Sequence, residues 1–289
     1  MSRRPLVISA TPTPFLADGS LDLASARRLF ETLIATNIDA WFVAGTTGEF
    51  PALDDDERTA LFRLAVEIGG PERVIAHIGA ASARQAAGLV RSATLVGVRR
   101  FAAVTPYYLP ASAAGVEASL ATISGAMDGL PLYLYLIPHL TGTHLSPSEA
   151  VGLVGRFELA GLKVSMPGTE FLAAVKDLVP PSTELLSGED RLLEEVVAAG
   201  GRGVVSGVSG ACPEVFTDWA DAIAAGDIDR QGPARTRAEQ AIAAIAPRIS
   251  HAKVALQTRG IFTSATCRMA IDQPDPSQQR AILAAIGQP

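Results

Sequence analysis

Short apolar runs recur along the chain: residues 6–15 (LVISATPTPF), 40–45 (AWFVAG), 73–79 (RVIAHIG), 100–106 (RFAAVTP), 131–138 (PLYLYLIP), 159–165 (LAGLKVS), 184–188 (ELLSG) and 202–207 (RGVVSG). Each has the length of a strand, and most end on Gly, Pro, Ser or Thr, residues that stop strands. Longer segments with helical periodicity lie between them. In LDLASARRLFETLIATN, positions Leu23, Ala26, Leu29, Phe30 and Leu33 fall on one helical face. LDDDERTALFRLAVEIGG opens on acidic residues, which suit the positive end of a helix dipole, and closes on glycine. Further helices are expected over 83–96, 115–127, 146–157, 169–178, 190–199 and 214–225. In the segment 146–157 Ser146 is a cap, Pro147 sits in the first turn and Glu149 takes the capping-box position.

Eight strand–helix units in series predict a closed (β/α)8 TIM barrel over residues 1–226. The alternative, an open doubly wound sheet, lacks a dinucleotide-type glycine fingerprint after the first strand. From 227 to 289 the pattern changes to helices with no strand between them, which predicts a C-terminal helical appendage packed on the barrel. With 289 residues and 48% hydrophobic content the chain can build one large core. A net charge of −6 and the absence of a basic block argue against a nucleic-acid partner. No apolar stretch is long and unbroken enough to span a bilayer, and the N-terminus lacks a signal peptide's apolar region. Cys212 and Cys267 form neither a disulfide framework nor a metal-ligand spacing, so a reducing, cytoplasmic location is expected.

In such a barrel, chemistry belongs at the C-terminal ends of the strands. GTTGE (45–49) ends the second run; its hydroxyls and backbone N–H groups suit an anion, or simply stabilise a Gly-rich turn. TPYY (105–108) ends the fourth, and Tyr107 and Tyr108 are either site residues or packing residues. Tyr133 and Tyr135 share one face of the fifth strand, and spacing alone does not choose between them. Lys163 is one of only three lysines, with Lys176 and Lys253, in a chain that otherwise uses arginine. Either it snorkels to the rim or pairs with a carboxylate, or its burial favours a neutral amine able to attack a ketone. Glu49, Glu189 and Asp190 are acidic candidates for the pocket. His77, His139, His144 and His251 are scattered, so no metal site is expected.

Together GTTGE, TPYY, YLIPHLTG (135–142), GLK (161–163), SGED (187–190) and GVVSGVSGACP (203–213) form an ordered set along the eight strands. On these fragments the chain resembles the dihydrodipicolinate synthase / N-acetylneuraminate lyase family of class I pyruvate-dependent aldolases. The resemblance implies that Lys163 forms an imine with pyruvate or another 2-oxo acid, with no cofactor. It implies that Thr46 and Thr47 hold the carboxylate and that Tyr135 shuttles protons. Thr47 and Tyr108 would extend that relay, and Tyr108 would serve its own barrel or that of a neighbouring subunit. Gly188 and Val205 would shape the pocket, and Ser165 would bind a substrate hydroxyl. A homotetramer, a dimer of dimers, is the family's usual assembly.

Departures from the family pattern bear on the second substrate. Leu140 stands where dihydrodipicolinate synthases carry an arginine for the aldehyde's distal carboxylate, and an apolar side chain cannot replace that fork. Arg191 stands where sialate lyases carry a glutamate, Leu136 replaces a frequent asparagine, and Gly210 sits where another asparagine is common. The expectation is therefore an aldolase acting on a 2-keto-3-deoxy sugar acid or a similar 2-oxo acid. The alternatives are dihydrodipicolinate synthase with a substitute anchor such as Arg191 or His139, and a barrel that binds a 2-oxo acid without catalysis.

Overall fold

The computed structural model describes residues 3–287. Its strands are β1 (Leu6–Ala10), β2 (Ala40–Val43), β3 (Val74–His77), β4 (Arg100–Val104), β5 (Leu132–Leu136), β6 (Gly161–Val164), β7 (Glu184–Ser187) and β8 (Gly203–Ser206). Each pairs in parallel with the next, and β8 pairs with β1, so the sheet closes into a (β/α)8 barrel. All eight lie within the predicted apolar runs. β1 stops at Ala10 because Pro12 and Pro14 have no N–H to give a ladder.

Helices α1 (Leu23–Ala35), α2 (Asp55–Gly69), α3 (Ala83–Leu95) and α4 (Ala113–Ser124) follow the first four strands. A short helical turn, α5 (Pro138–Thr141), precedes α6 (Pro147–Phe157), and α7 (Glu170–Val175), α8 (Leu193–Ala198) and α9 (Pro213–Ala225) complete the ring. Helix starts are written locally. Asp54 caps α2 through a capping box with Glu57, and Ser146 caps α6 in the same way with Glu149, as its sequence predicts. The helix expected over 190–199 begins as a 3₁₀ turn, Asp190–Leu192, before α8. The turn α5, not anticipated, starts at Pro138, whose fixed φ favours a first helical position.

The strands are buried on both faces, so their apolar runs are continuous rather than alternating. Outward side chains such as Trp41, Phe101 and Leu162 join the helices in one apolar layer, where Trp41 stacks on Phe30 at 4.8 Å. Inward ones, including Ile8, Phe42, Ile75, Tyr133, Tyr135, Leu186 and Val205, fill the barrel. Gly161 is the inward residue of β6 two positions before Lys163. A Cβ there would lie 2.6 Å from the Tyr133 ring and 2.4 Å from the Glu184 carbonyl, so only glycine leaves room for that ring.

After β8 the chain forms α10 (Ile228–Ile245), α11 (Ile249–Thr258) and α12 (Pro276–Ala285). Ala234, Ala238, Ala241, Ile242 and Ile245 bury one face of α10. Arg28 Nε donates to the Ile261 carbonyl at 2.9 Å, and Arg268 forks onto Glu57 with both contacts at 2.6 Å, joining this segment to α1 and α2.

Candidate active site

Strand register places the central pair. Tyr135 of β5 lies beside Lys163 of β6, and both side chains point into the barrel near its C-terminal end. Lys163 is 4% exposed, yet no carboxylate stands within 4 Å of its Nζ among the described residues. The amine lies 3.8 Å from the centre of the Tyr135 ring and 4.4 Å from that of Phe42. These π faces suit a cation, either an ammonium or the iminium that would replace it. The side chain is buried and makes no ion pair, unlike a lysine that snorkels to the rim or pairs with a carboxylate.

The two tyrosines of β5 separate by what their hydroxyls meet. Tyr133 donates to Glu184 Oε2 at 2.7 Å and accepts from Arg100 Nη2 at 2.8 Å. Burial pushes its pKa up to about 12. It is a core residue at the opposite end of the barrel. The Tyr135 hydroxyl is 2% exposed as a residue and sits 3.5 Å from both Thr46 Oγ1 and Ser165 Oγ. Both distances are at the long end of the hydrogen-bonding range.

Lys163, Tyr135, Thr46, Thr47, Ser165, Gly188 and Val205 all line one cavity of about 170 Å³. Thr46, rather than Thr47, approaches the Tyr135 hydroxyl; Thr47 lies on the cavity wall near Gly207. Gly188 is needed where it stands, since a Cβ there would overlap Ser165 Oγ at 1.8 Å. Tyr108 does not reach this cavity in its own chain. It is 89% exposed with φ of 72°, in the left-handed region. Its neighbour Tyr107 turns inward instead, edge-on to Phe50 at 5.4 Å.

Among the acidic candidates, Asp190 and Glu189 line the cavity and Glu49 does not. Glu49 is fully buried on the far side of the GTTGE turn. It pairs with Lys253 of α11 and accepts the Arg268 and Met269 N–H groups, both at 2.8 Å. Asp190 keeps one buried oxygen without a hydrogen-bond partner. Burial raises its pKa to about 6, helped by the charge of Glu189 and opposed by Ser206, the Val208 N–H and Lys163. His139 and Leu140 line the cavity, whereas Arg191 does not.

Sequence reading missed an aromatic wall and a cation. His77 is fully buried against Phe50, Phe42 and Tyr135, with ring centroids 4.6, 5.6 and 6.3 Å away. Burial, with the charges of Arg58 and Lys163, holds its pKa well below 6.5; the ring is neutral and its Nδ1–H faces the Ala44 carbonyl at 2.9 Å. The missed cation is Arg248, at the start of α11, which lines both this cavity and an adjoining cleft of about 540 Å³. Among the described residues no group of three or more His, Cys, Asp or Glu side chains is placed to hold a metal, and no helix is long and apolar enough to cross a membrane.

Residues 5–288 match the model of the dihydrodipicolinate synthetase family. A 4-hydroxy-tetrahydrodipicolinate synthase of Nostoc punctiforme is 34% identical over 77% of this chain and 76% of that protein. The corresponding synthase 1 of Streptomyces coelicolor is 32% identical over 97% of this chain and 92% of that one. A prophage protein of the dihydrodipicolinic acid synthase family from E. coli K12, solved in complex with pyruvate, superposes with a TM-score of 0.89 at 25% identity, covering all of both chains.

Proposed function

Because the chain belongs to the dihydrodipicolinate synthetase family of lyases, we propose that it joins pyruvate to an aldehyde, or runs that reaction backwards, through an imine on Lys163. The observation that carries this reading is a buried lysine on the wall of a cavity at the C-terminal end of the barrel. It faces two aromatic rings rather than a carboxylate, with hydroxyls of Thr46, Ser165 and Tyr135 around it.

The proposed steps are these. The neutral amine attacks the ketone carbon, and loss of water leaves a protonated imine. That cation draws electrons from the methyl carbon, which gives up a proton and becomes an enamine. The enamine carbon attacks the aldehyde carbonyl, and the new alkoxide takes a proton. Water then hydrolyses the imine and frees the lysine, unless an internal amine of the product displaces it. In this reading Tyr135 carries these protons and the Thr46–Thr47 turn holds the carboxylate, which is supported by all three lining the cavity with Lys163. Fixing the acid and excluding water supplies the proximity that a bimolecular addition otherwise lacks. Tyr108, exposed on its own chain, is assigned to the cavity of a partner subunit in a dimer of dimers.

Relatives covering most of the chain are named 4-hydroxy-tetrahydrodipicolinate synthase, and this favours that reaction over sugar-acid cleavage. Leu140, 57% exposed and apolar, is the observation that keeps the sugar-acid aldolase as a second reading. Two measurements test the proposal. Pyruvate with borohydride should leave a stable mass increase on Lys163 that Lys163→Arg abolishes. No adduct on the native protein would leave only a binding barrel. Turnover of aspartate semialdehyde against 2-keto-3-deoxy sugar acids then decides between the two lyase readings.

A further inference from the structure

The cavity around Lys163 opens past Arg248 into the adjoining cleft; Arg248, Thr46 and Leu140 line both spaces. Most arginines of this molecule that touch the C-terminal helices are tied down: Arg268 forks onto Glu57, Arg259 pairs with Glu214, and Arg235 holds three glutamates. Arg248 has no carboxylate within 4 Å, and no side-chain hydrogen bond is formed by it among the described residues. Asp272 lines the same cleft, but its backbone carbonyl is engaged by Ser250 and its carboxylate forms no pair with Arg248. Leu140, Pro247 and Ile249, which line both spaces, carry no charge; the cavity also holds the carboxylates of Glu189 and Asp190, and the cleft that of Asp272, so Arg248 is the cation these spaces share.

An exposed arginine without a partner is most often a solvated surface charge. What distinguishes this one is its place, on the wall shared by the reaction cavity and its approach. A guanidinium is a planar fork that matches a carboxylate or a phosphate with two parallel hydrogen bonds. The deep end of the cavity is committed to the 2-oxo acid by Lys163 and the two threonines. Arg248 stands on the wall where this cavity meets the adjoining cleft, the space left for the molecule that meets the enamine.

We infer that Arg248 grips an anionic terminus of the second substrate, so that the aldehyde taken by this site carries a carboxylate or phosphate at its far end. The inference rests on the lyase reading above and adds to it the charge of the aldehyde and the residue that selects it. It also explains how a site with an apolar Leu140 accepts an acidic aldehyde: the cation comes from α11, a segment far along the chain, rather than from the end of β5.

The test uses the intact protein, its variants Arg248→Ala and Arg248→Lys, and three aldehydes of similar size. Aspartate semialdehyde carries a carboxylate, glyceraldehyde 3-phosphate a phosphate, and glyceraldehyde no charge. Arg248→Ala should raise KM for the preferred charged aldehyde by about tenfold to a hundredfold, the size of a lost charge-assisted pair, with kcat much less affected. Arg248→Lys should fall between, since it keeps the charge and loses the fork. The neutral aldehyde should respond equally in all three proteins. Which charged aldehyde is preferred identifies the anion. Equal losses for charged and neutral aldehydes, or a native protein that prefers the neutral one, overturn the inference. Borohydride trapping of pyruvate is run alongside. An adduct retained in every variant with no charge discrimination removes the role of Arg248 alone, whereas no adduct on the native protein removes the lyase reading as well.

Discussion

Lys163 faces the ring of Tyr135, and the two tyrosines of β5 differ in what their hydroxyls meet. Tyr133 and Tyr135 have identical spacing and face, and only the Arg100–Glu184 pair around the Tyr133 hydroxyl shows which one is occupied elsewhere. Tyr135→Phe should therefore lower kcat by about a hundredfold to a thousandfold, the usual worth of a positioned proton carrier, while the pyruvate adduct on Lys163 still forms. An adduct lost along with turnover would mean that the phenol acts earlier, in forming the imine. Tyr133→Phe should instead cost stability and leave the pH profile alone. Asp190 makes a separate forecast. Its carboxyl titrates near 6 in the folded protein against 3.8 in water, so the folded state holds the extra proton. That contribution is present at pH 4 and below and is lost as the pH rises through about 6. Complete loss corresponds to roughly 3 kcal/mol at 1.36 kcal/mol per pH unit. Asp190→Asn should consequently be more stable than the native protein at pH 8 and equal to it near pH 4, as read from urea unfolding at both pH values. A gap that stays constant with pH would show that the carboxyl is not held protonated by burial.

The eight strands were readable because both of their faces are buried, which leaves continuous apolar runs between amphipathic helices. Lengths were less readable: α7 and α8 are short, and their ends depend on contacts with other elements rather than on caps in their own sequence. Least readable was the link between the GTTGE turn and α11. Glu49 stands next to site residues and invites a catalytic assignment, yet its partner Lys253 is 204 positions away. Both side chains are 0% exposed, and the pair is completed by the Thr266 carbonyl on Lys253 and two backbone N–H groups on Glu49. Burial lowers the Lys253 pKa, and Glu49 is the main opposing influence. Removing one member strands the other charge in a dry site, so Glu49→Gln or Lys253→Met should each cost about 3–5 kcal/mol. The double variant should cost clearly less than the two losses added, because no lone charge remains. Additive losses in denaturant unfolding would show that the two residues act independently. Because the same turn carries Thr46 and Thr47, the single variants that still fold should also bind pyruvate less tightly.

Seen as one body, the molecule closes its reactive end with residues from both extremes of the chain, and one predicted site residue remains outside. Tyr108 and Leu109 are 89% and 74% exposed on the loop after β4, close in sequence to the inward-facing Tyr107. Exposed apolar side chains in a cluster favour association, and a left-handed φ at a tyrosine is a conformation that needs support from something it touches. Both facts fit a loop that becomes buried when a second copy packs against it, with Tyr108 of the partner subunit completing the relay to Tyr135. Light scattering on the native protein should then give a mass well above the 30.0 kDa of one chain. Leu109→Glu should shift it towards the monomer, since burying a charge unpaired is costly. The monomeric variant should keep the pyruvate adduct, whose residues all lie in one barrel, and lose turnover. Tyr108→Phe in the assembled protein should lose turnover without changing its mass. A native protein that is monomeric and fully active would remove Tyr108 from the reaction and leave Thr46 and Ser165 as the hydroxyls that serve Tyr135.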